Sequence, residues 1–140
     1  MTEPAAVAYD RAMSDYTIVN LSDVEDFAAK YGFGESGEVR FPREALAAQN
    51  TGFSHMRLRA GRRSPVPHRH EQAEEICIVL AGSGTAKLDD ELRELGPHDL
   101  LRIAPPVARQ FEAGPDGMEL LVFGARHEGD GEQLEGFWSE

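Results

Sequence analysis

At 140 residues the chain is long enough to bury one core of its own. Its formal charge of −11 argues against nucleic acid or an anionic membrane surface as partner, and its 41% hydrophobic share is that of an ordinary globular protein. The single cysteine, Cys77, excludes an internal disulfide; no window reaches transmembrane length and the first residues lack the apolar run of a signal peptide, so a cytoplasmic protein is expected.

Residues 1–15 are small, polar and unpatterned, and are expected to be loose. The β-branched and aromatic run over 16–21 predicts a strand, and Ser22 with Glu25 predicts a capped helix that Gly32 and Gly34 end. A strand over 38–41 and a short helix from Pro42 to Ala47 follow. From Gly52 the pattern changes to short strands separated by glycine, proline and aspartate, expected at 52–59, 75–80, 85–88, 92–95, 99–103, 109–113 and 118–123. Asp89-Asp90 marks a hairpin tip, and Gly114-Pro115-Asp116-Gly117 a turn between the last two strands. This spacing predicts an all-β antiparallel barrel or sandwich with a short amino-terminal helical region, one domain over 16–126. The acidic tail over 127–140 ends in Phe137 and Trp138, which either dock on the barrel or a partner or leave a floppy end.

The chemistry concentrates between His68 and Gly82. In an extended chain His68 and His70 point to the same face. Glu74 and Glu75 follow after a short polar link that can reset the strand phase, so that a carboxylate joins the imidazoles. Two histidines and one carboxylate with open positions suit Fe(II), Mn(II) or a similar ion.

This stretch resembles the first motif of the cupins: Gly61, then His68-Arg69-His70, Glu75 and Gly82, with the glutamate role falling on Glu75 because six residues separate it from Gly82. Six residues lie between Gly61 and His68, where the family usually has five. The second motif is matched at its start by Gly96-Pro97-His98-Asp99 and the apolar run to Ile103, but Ala104 and Pro106 replace its proline and glycine, and Arg109 stands where the fourth ligand, a histidine, is usual. The resemblance implies a jelly-roll barrel, a divalent metal (Fe, Mn, Ni or Zn) on His68, His70 and Glu75, a small-molecule ligand, and a homodimer.

Arg109, if it points inward, either pairs with Glu75 in place of a metal or offers its guanidinium to an anionic ligand. If the loop is shifted by one residue, Gln110 takes that position. His55, on the preceding strand, is a candidate replacement ligand, against a structural role. Arg57, Arg59, Arg62, Arg63 and Arg69 form a basic cluster that either steers an anion or simply sits solvated. Cys77 reads as a small core filler. With Glu75 inward, Ile76, Ile78 and Leu80 face out and need cover from the amino-terminal segment or a second subunit. Two classes of function lead: a metal-dependent oxygenase, isomerase or decarboxylase, and a non-catalytic binding or sensor barrel, with or without a metal; the outward aliphatic face leaves a structural or partner-docking protein as a third.

Overall fold

Apolar residues at period two set the fold. Val39, Met56, Leu58, Cys77, Val79, Phe111, Met118, Leu120 and Val122 all turn to one side of their strands and form a single buried core. The computed structural model describes residues 15–139. Its strands are β1 (Gly37–Arg40), β2 (Thr51–Leu58), β3 (His68–His70), β4 (Glu75–Leu88), β5 (Glu91–Leu95), β6 (Leu100–Ile103), β7 (Arg109–Ala125) and β8 (Gly131–Gln133). All join one antiparallel sheet, the all-β fold expected. It curls because β4 and β7, paired from Glu75↔Gly124 to Leu88↔Arg109, bend together at mid-length.

That bend corrects two expectations. The strands predicted at 75–80 and 85–88 are one strand, β4, and those at 109–113 and 118–123 are one strand, β7. The turn residues 114–117 do not reverse the chain. They bulge out of β7 opposite Ser83, between the pairs Gly84↔Ala113 and Gly82↔Met118, where the register shifts. Gly82 is required there: its φ is +75°, and a Cβ on it would lie 2.1 Å from the Gly117 carbonyl oxygen. The turn chemistry was legible; its use as a corner within a strand was not.

The amino-terminal half differs more. The segment 16–21 is not a strand: it pairs with nothing in the sheet, and Tyr16 and Ile18 are exposed. Asn20 accepts a hydrogen bond from the Ser22 backbone N–H and starts a 3-10 turn, Leu21–Asp23, an alternative its amide side chain offers the backbone. The helix does not open at Ser22. It is the single turn α1 (Phe27–Lys30), because Asp26 accepts both from Ala28 N–H and from Val39 N–H, capping α1 and tying it to β1 at once. The short helix after Pro42 forms as expected, α2 (Arg43–Leu46), and stops where Ala47 turns left-handed. The loose amino terminus expected over 1–15 falls, but for Asp15, outside the described residues.

The tail is ordered onto the barrel. β8 pairs with β3, Arg63 stacks over the Trp138 ring and donates to the Trp138 carbonyl, and Lys87 does the same at Phe137. The outer sheet face carries the predicted aliphatic row: Ile76 and Ile78 are half-buried, Leu80 is exposed, and Leu100, opposite Ile78, is 69% exposed.

Candidate metal centre

Two short elements and the start of a long strand converge at one end of the barrel. β3 is extended, so His68 and His70 share a face, and their rings meet edge-on with centroids 4.9 Å apart. The link 71–74 brings the chain round so that Glu75 opens β4 beside them. One ligand atom from each of His68, His70 and Glu75 lies within 4.8 Å of the others.

The surroundings prepare these atoms. His68 Nδ1 lies 3.0 Å from the Val66 carbonyl oxygen, which can only accept, so the ring proton sits on Nδ1 and Nε2 keeps its lone pair. Val66 is held for this at φ +62°, costly for a β-branched residue and common beside functional groups. Burial pushes His68 below its ordinary value, which favours the neutral, ligating form. His70 Nε2 is 3.3 Å from Glu75 and Nδ1 is 3.2 Å from Asp130, yet both contacts lie off the hydrogen-bond line, so both buried nitrogens lack a bonded partner. Burial pushes the Glu75 carboxyl up, but the facing His70, Arg109 and His68 outweigh it and hold the group below its usual value, ionised.

Asp130, which sequence reasoning missed, holds the geometry together. Its carboxylate accepts from the backbone N–H groups of Glu71, Gln72 and Ala73, the link between His70 and Glu75, while facing His70 Nδ1. Burial works against its charge, and these three N–H donors prevail, keeping the carboxyl below its usual range. The turn Glu128-Gly129-Asp130-Gly131, within the acidic tail, is the signal for it in the sequence.

Arg109 faces inward and is 1% exposed. Although it opposes Leu88, far from Glu75 along the strand pair, the bend in β4 and β7 brings it back to the site. Its Nη1 donates to Glu75 Oε1 at 2.6 Å; Nε donates to Val107, and Nη2 to Ala104 and Pro105. The guanidinium therefore ties the loop before β7 to β4, and four of its five N–H groups are committed. Two histidines with free lone pairs and an ionised carboxylate fit a divalent ion; the cation beside Glu75 is the one group that opposes it.

Cavities flank the cluster on both sides. One, of about 310 Å³, is mainly apolar, walled by Phe27, Val39, Phe41, Met56 and Phe111 and reached by His68, Arg109 and Gln110. The other, of about 240 Å³, reaches His70, Glu75 and Asp130 and is rimmed by Arg43, Arg126 and His127.

The remaining candidates separate. Gln110 lines the apolar cavity, but its amide donates to the Ser64 carbonyl. His55 does not join the cluster. It faces the other side of β2 from Ser54 and Met56, 1% exposed, with Nε2 2.6 Å from Glu119. Arg57, Arg62, Arg63 and Arg69 each lie within 4.0 Å of a carboxylate, which cancels much of the basic cluster's field. Cys77 is buried, and that burial pushes its thiol up to about 12, so it packs as a filler.

Among solved structures the chain is similar to a cupin protein from Bacteroides fragilis, at 28% identity and TM-score 0.66 over 91% of this chain and 94% of that one. It is similar in fold to a sugar phosphate isomerase of the cupin superfamily from Silicibacter pomeroyi, at 20% identity and TM-score 0.66 over 84% and 82% of the two chains. An oxalate decarboxylase from Bacillus subtilis shares 23% identity and a TM-score of 0.65 over 84% of this chain and 33% of that one. No curated protein sequence matches the chain. The family model for the cupin domain matches residues 54–124, from the middle of β2 to the end of β7, and the chain belongs to the cupin family.

Proposed function

We propose that the protein binds one divalent metal ion through His68, His70 and Glu75 and holds a small organic ligand in the cavities beside it. The observation that carries this reading is the convergence of three ligand atoms, one each from His68, His70 and Glu75, within 4.8 Å, with both buried ring nitrogens of His70 free of hydrogen bonds. Bound there, an Fe, Mn, Ni or Zn ion would supply Lewis-acid polarisation of a ligand oxygen or, for a redox-active ion, oxygen chemistry. The chain's own residues do the rest. Val66 orients the His68 imidazole, Asp130 fixes the link between His70 and Glu75, Glu75 supplies negative charge, and Phe27, Phe41 and Phe111 exclude water from the apolar cavity. The reaction class that follows is a metal-dependent oxygenation, isomerisation or decarboxylation of a small acid, sugar or phenol. Each of these fits an open-sided site with an apolar wall.

A specific contact favours a second reading. The Arg109–Glu75 pair at 2.6 Å occupies one oxygen of the candidate carboxylate ligand, as a metal-free binding barrel would have it. The two readings part on titration calorimetry with Mn(II), Ni(II) and Zn(II) into chelator-treated protein. One site per chain, lost in His68→Ala and His70→Ala, supports the metal centre. No heat with any ion supports the metal-free barrel. Metal-loaded protein then goes into screens for oxygen uptake, carbon dioxide release and isomer formation. We also infer a homodimer through the outer row of Ile76, Ile78, Leu80 and Leu100, whose exposure a second copy would end. Light scattering after size exclusion tests it, and Leu100→Lys should give a monomer.

A further inference from the structure

We propose that the smaller cavity is a carboxylate site, in which Arg126 and Arg43 anchor a small organic acid with its reactive part turned toward His70 and Glu75. The proposal deepens the metal-centre reading and rests on it for the role of the ion, but not for the anion. Arg109, which the residue pattern made the obvious anchor, is spent: it is 1% exposed and bonded to Glu75 and three backbone carbonyls. The charge of an acidic ligand must be met elsewhere. The cavity of about 240 Å³ is lined by two arginines, Arg43 and Arg126. Arg126 stands just past β7, exposed, and no carboxylate lies within ion-pair distance of it among the described residues. Arg43 is only partly used: Nη1 donates to the Ala48 carbonyl at 3.2 Å, and Glu44 lies 3.9 Å from Nη2. The two acids lining the same cavity are both engaged, Glu75 with Arg109 and Asp130 with three backbone N–H groups. In a chain of net charge −11, whose other arginines near the barrel mouth are paired, this pocket keeps an uncompensated positive rim. Two arginines lining one small pocket suit a carboxylate, which takes bidentate hydrogen bonds from a guanidinium.

The test compares 4-fluorobenzoate with 4-fluorobenzamide, near-identical in shape and different in charge, by fluorine NMR titration of the full chain in metal-free and Zn(II)-loaded forms. The expected result is that the benzoate binds at least tenfold more tightly than the benzamide in both forms, and most tightly with Zn(II). Arg126→Ala should weaken the benzoate about tenfold while leaving the benzamide and Zn(II) affinity unchanged; Arg126→Lys should recover part of the loss. Arg62→Ala, outside the cavity, should change nothing. Equal affinity for the two probes, absence of benzoate binding in both forms, or an Arg126→Ala protein that binds benzoate as the parent does would each overturn the proposal. Failure of Zn(II) to bind would instead remove the metal centre, and the benzoate preference of the metal-free chain would still decide the anion site.

Discussion

Two places in this barrel bring together a histidine, a glutamate and an arginine, and only one of them is a candidate metal centre. Inside the barrel stand His70, Glu75 and Arg109; on the outer face of the sheet stand His55, Glu119 and Arg57. Both histidines are largely buried, and both carboxyls are held below their usual value. Outside, His55 Nε2 lies 2.6 Å from Glu119, the pair is closed by Arg57, and no further ligand groups with them among the described residues. Inside, His70 is out of line with both carboxylates, His68 adds a second imidazole, and cavities open beside the cluster. Residue type does not make a metal site; convergent lone pairs without better partners, next to open space, do.

The largest effect that would sharpen this contrast is on stability. Arg109→Ala leaves Glu75 and three loop carbonyls without their donor, and should lower the stability of the metal-free protein by ~3 kcal/mol, the scale of breaking a buried pair. Chemical denaturation measures it, and Zn(II) should restore part of the loss by taking over Glu75. Arg57→Ala, at the equivalent outer place, should cost ~0–1 kcal/mol because its side chain is half exposed.

Metal affinity separates the two regions next. His70→Ala should lower Mn(II) affinity by more than the ~10–100-fold typical of an outer partner, whereas His55→Ala should leave it unchanged. An equal loss in both would break the comparison. Asp130→Asn should weaken Mn(II) by ~10–100-fold, because it loosens the 71–73 link that sets His70 against Glu75. Replacing Arg109 by histidine removes a cation from the site and adds a ligand nitrogen, and should tighten Mn(II) binding over the parent.

The smallest effect is in acid. Glu119 is held below its ordinary 4.5, first by its bond to His55, so the folded chain binds its proton less readily than the unfolded chain does. Its contribution to stability is therefore fully present above about pH 4.5 and is lost as pH falls through its lower folded value. Denaturation midpoints of parent and Glu119→Gln should differ at pH 7 and draw together as pH falls below the Glu119 folded value. A difference that persists in acid would mean that the outer pair contributes by shape rather than by charge.

The strand pattern made the barrel legible, since period-two burial and turn residues survive in any antiparallel sheet. It could not say that Gly82 and 114–117 make a corner inside β4 and β7, because a bulge and a turn use the same residues. His68, His70 and Glu75 were legible because they lie within eight residues of one another. Asp130 and Arg126 were not: they arrive from the far end of the chain, and only the pairing of β8 with β3 and the end of β7 put them at the site. Arg109 was visible as a departure from the family pattern, but its inward position depended on the bend, which no local signal reveals. The helix start moved from Ser22 to Phe27 for a like reason, since Asp26 answers to β1 as well as to its own helix.

The central claim is that His68, His70 and Glu75 hold a metal. Elemental analysis by inductively coupled plasma mass spectrometry, on protein purified without a metal-affinity column and then incubated with Fe(II), Mn(II), Ni(II) or Zn(II) and dialysed, tests it directly. The account predicts close to one ion per chain for at least one of the four, and none in His70→Ala. A parent protein that retains no ion after any incubation would contradict it and leave the Arg109–Glu75 pair as the resident of the site.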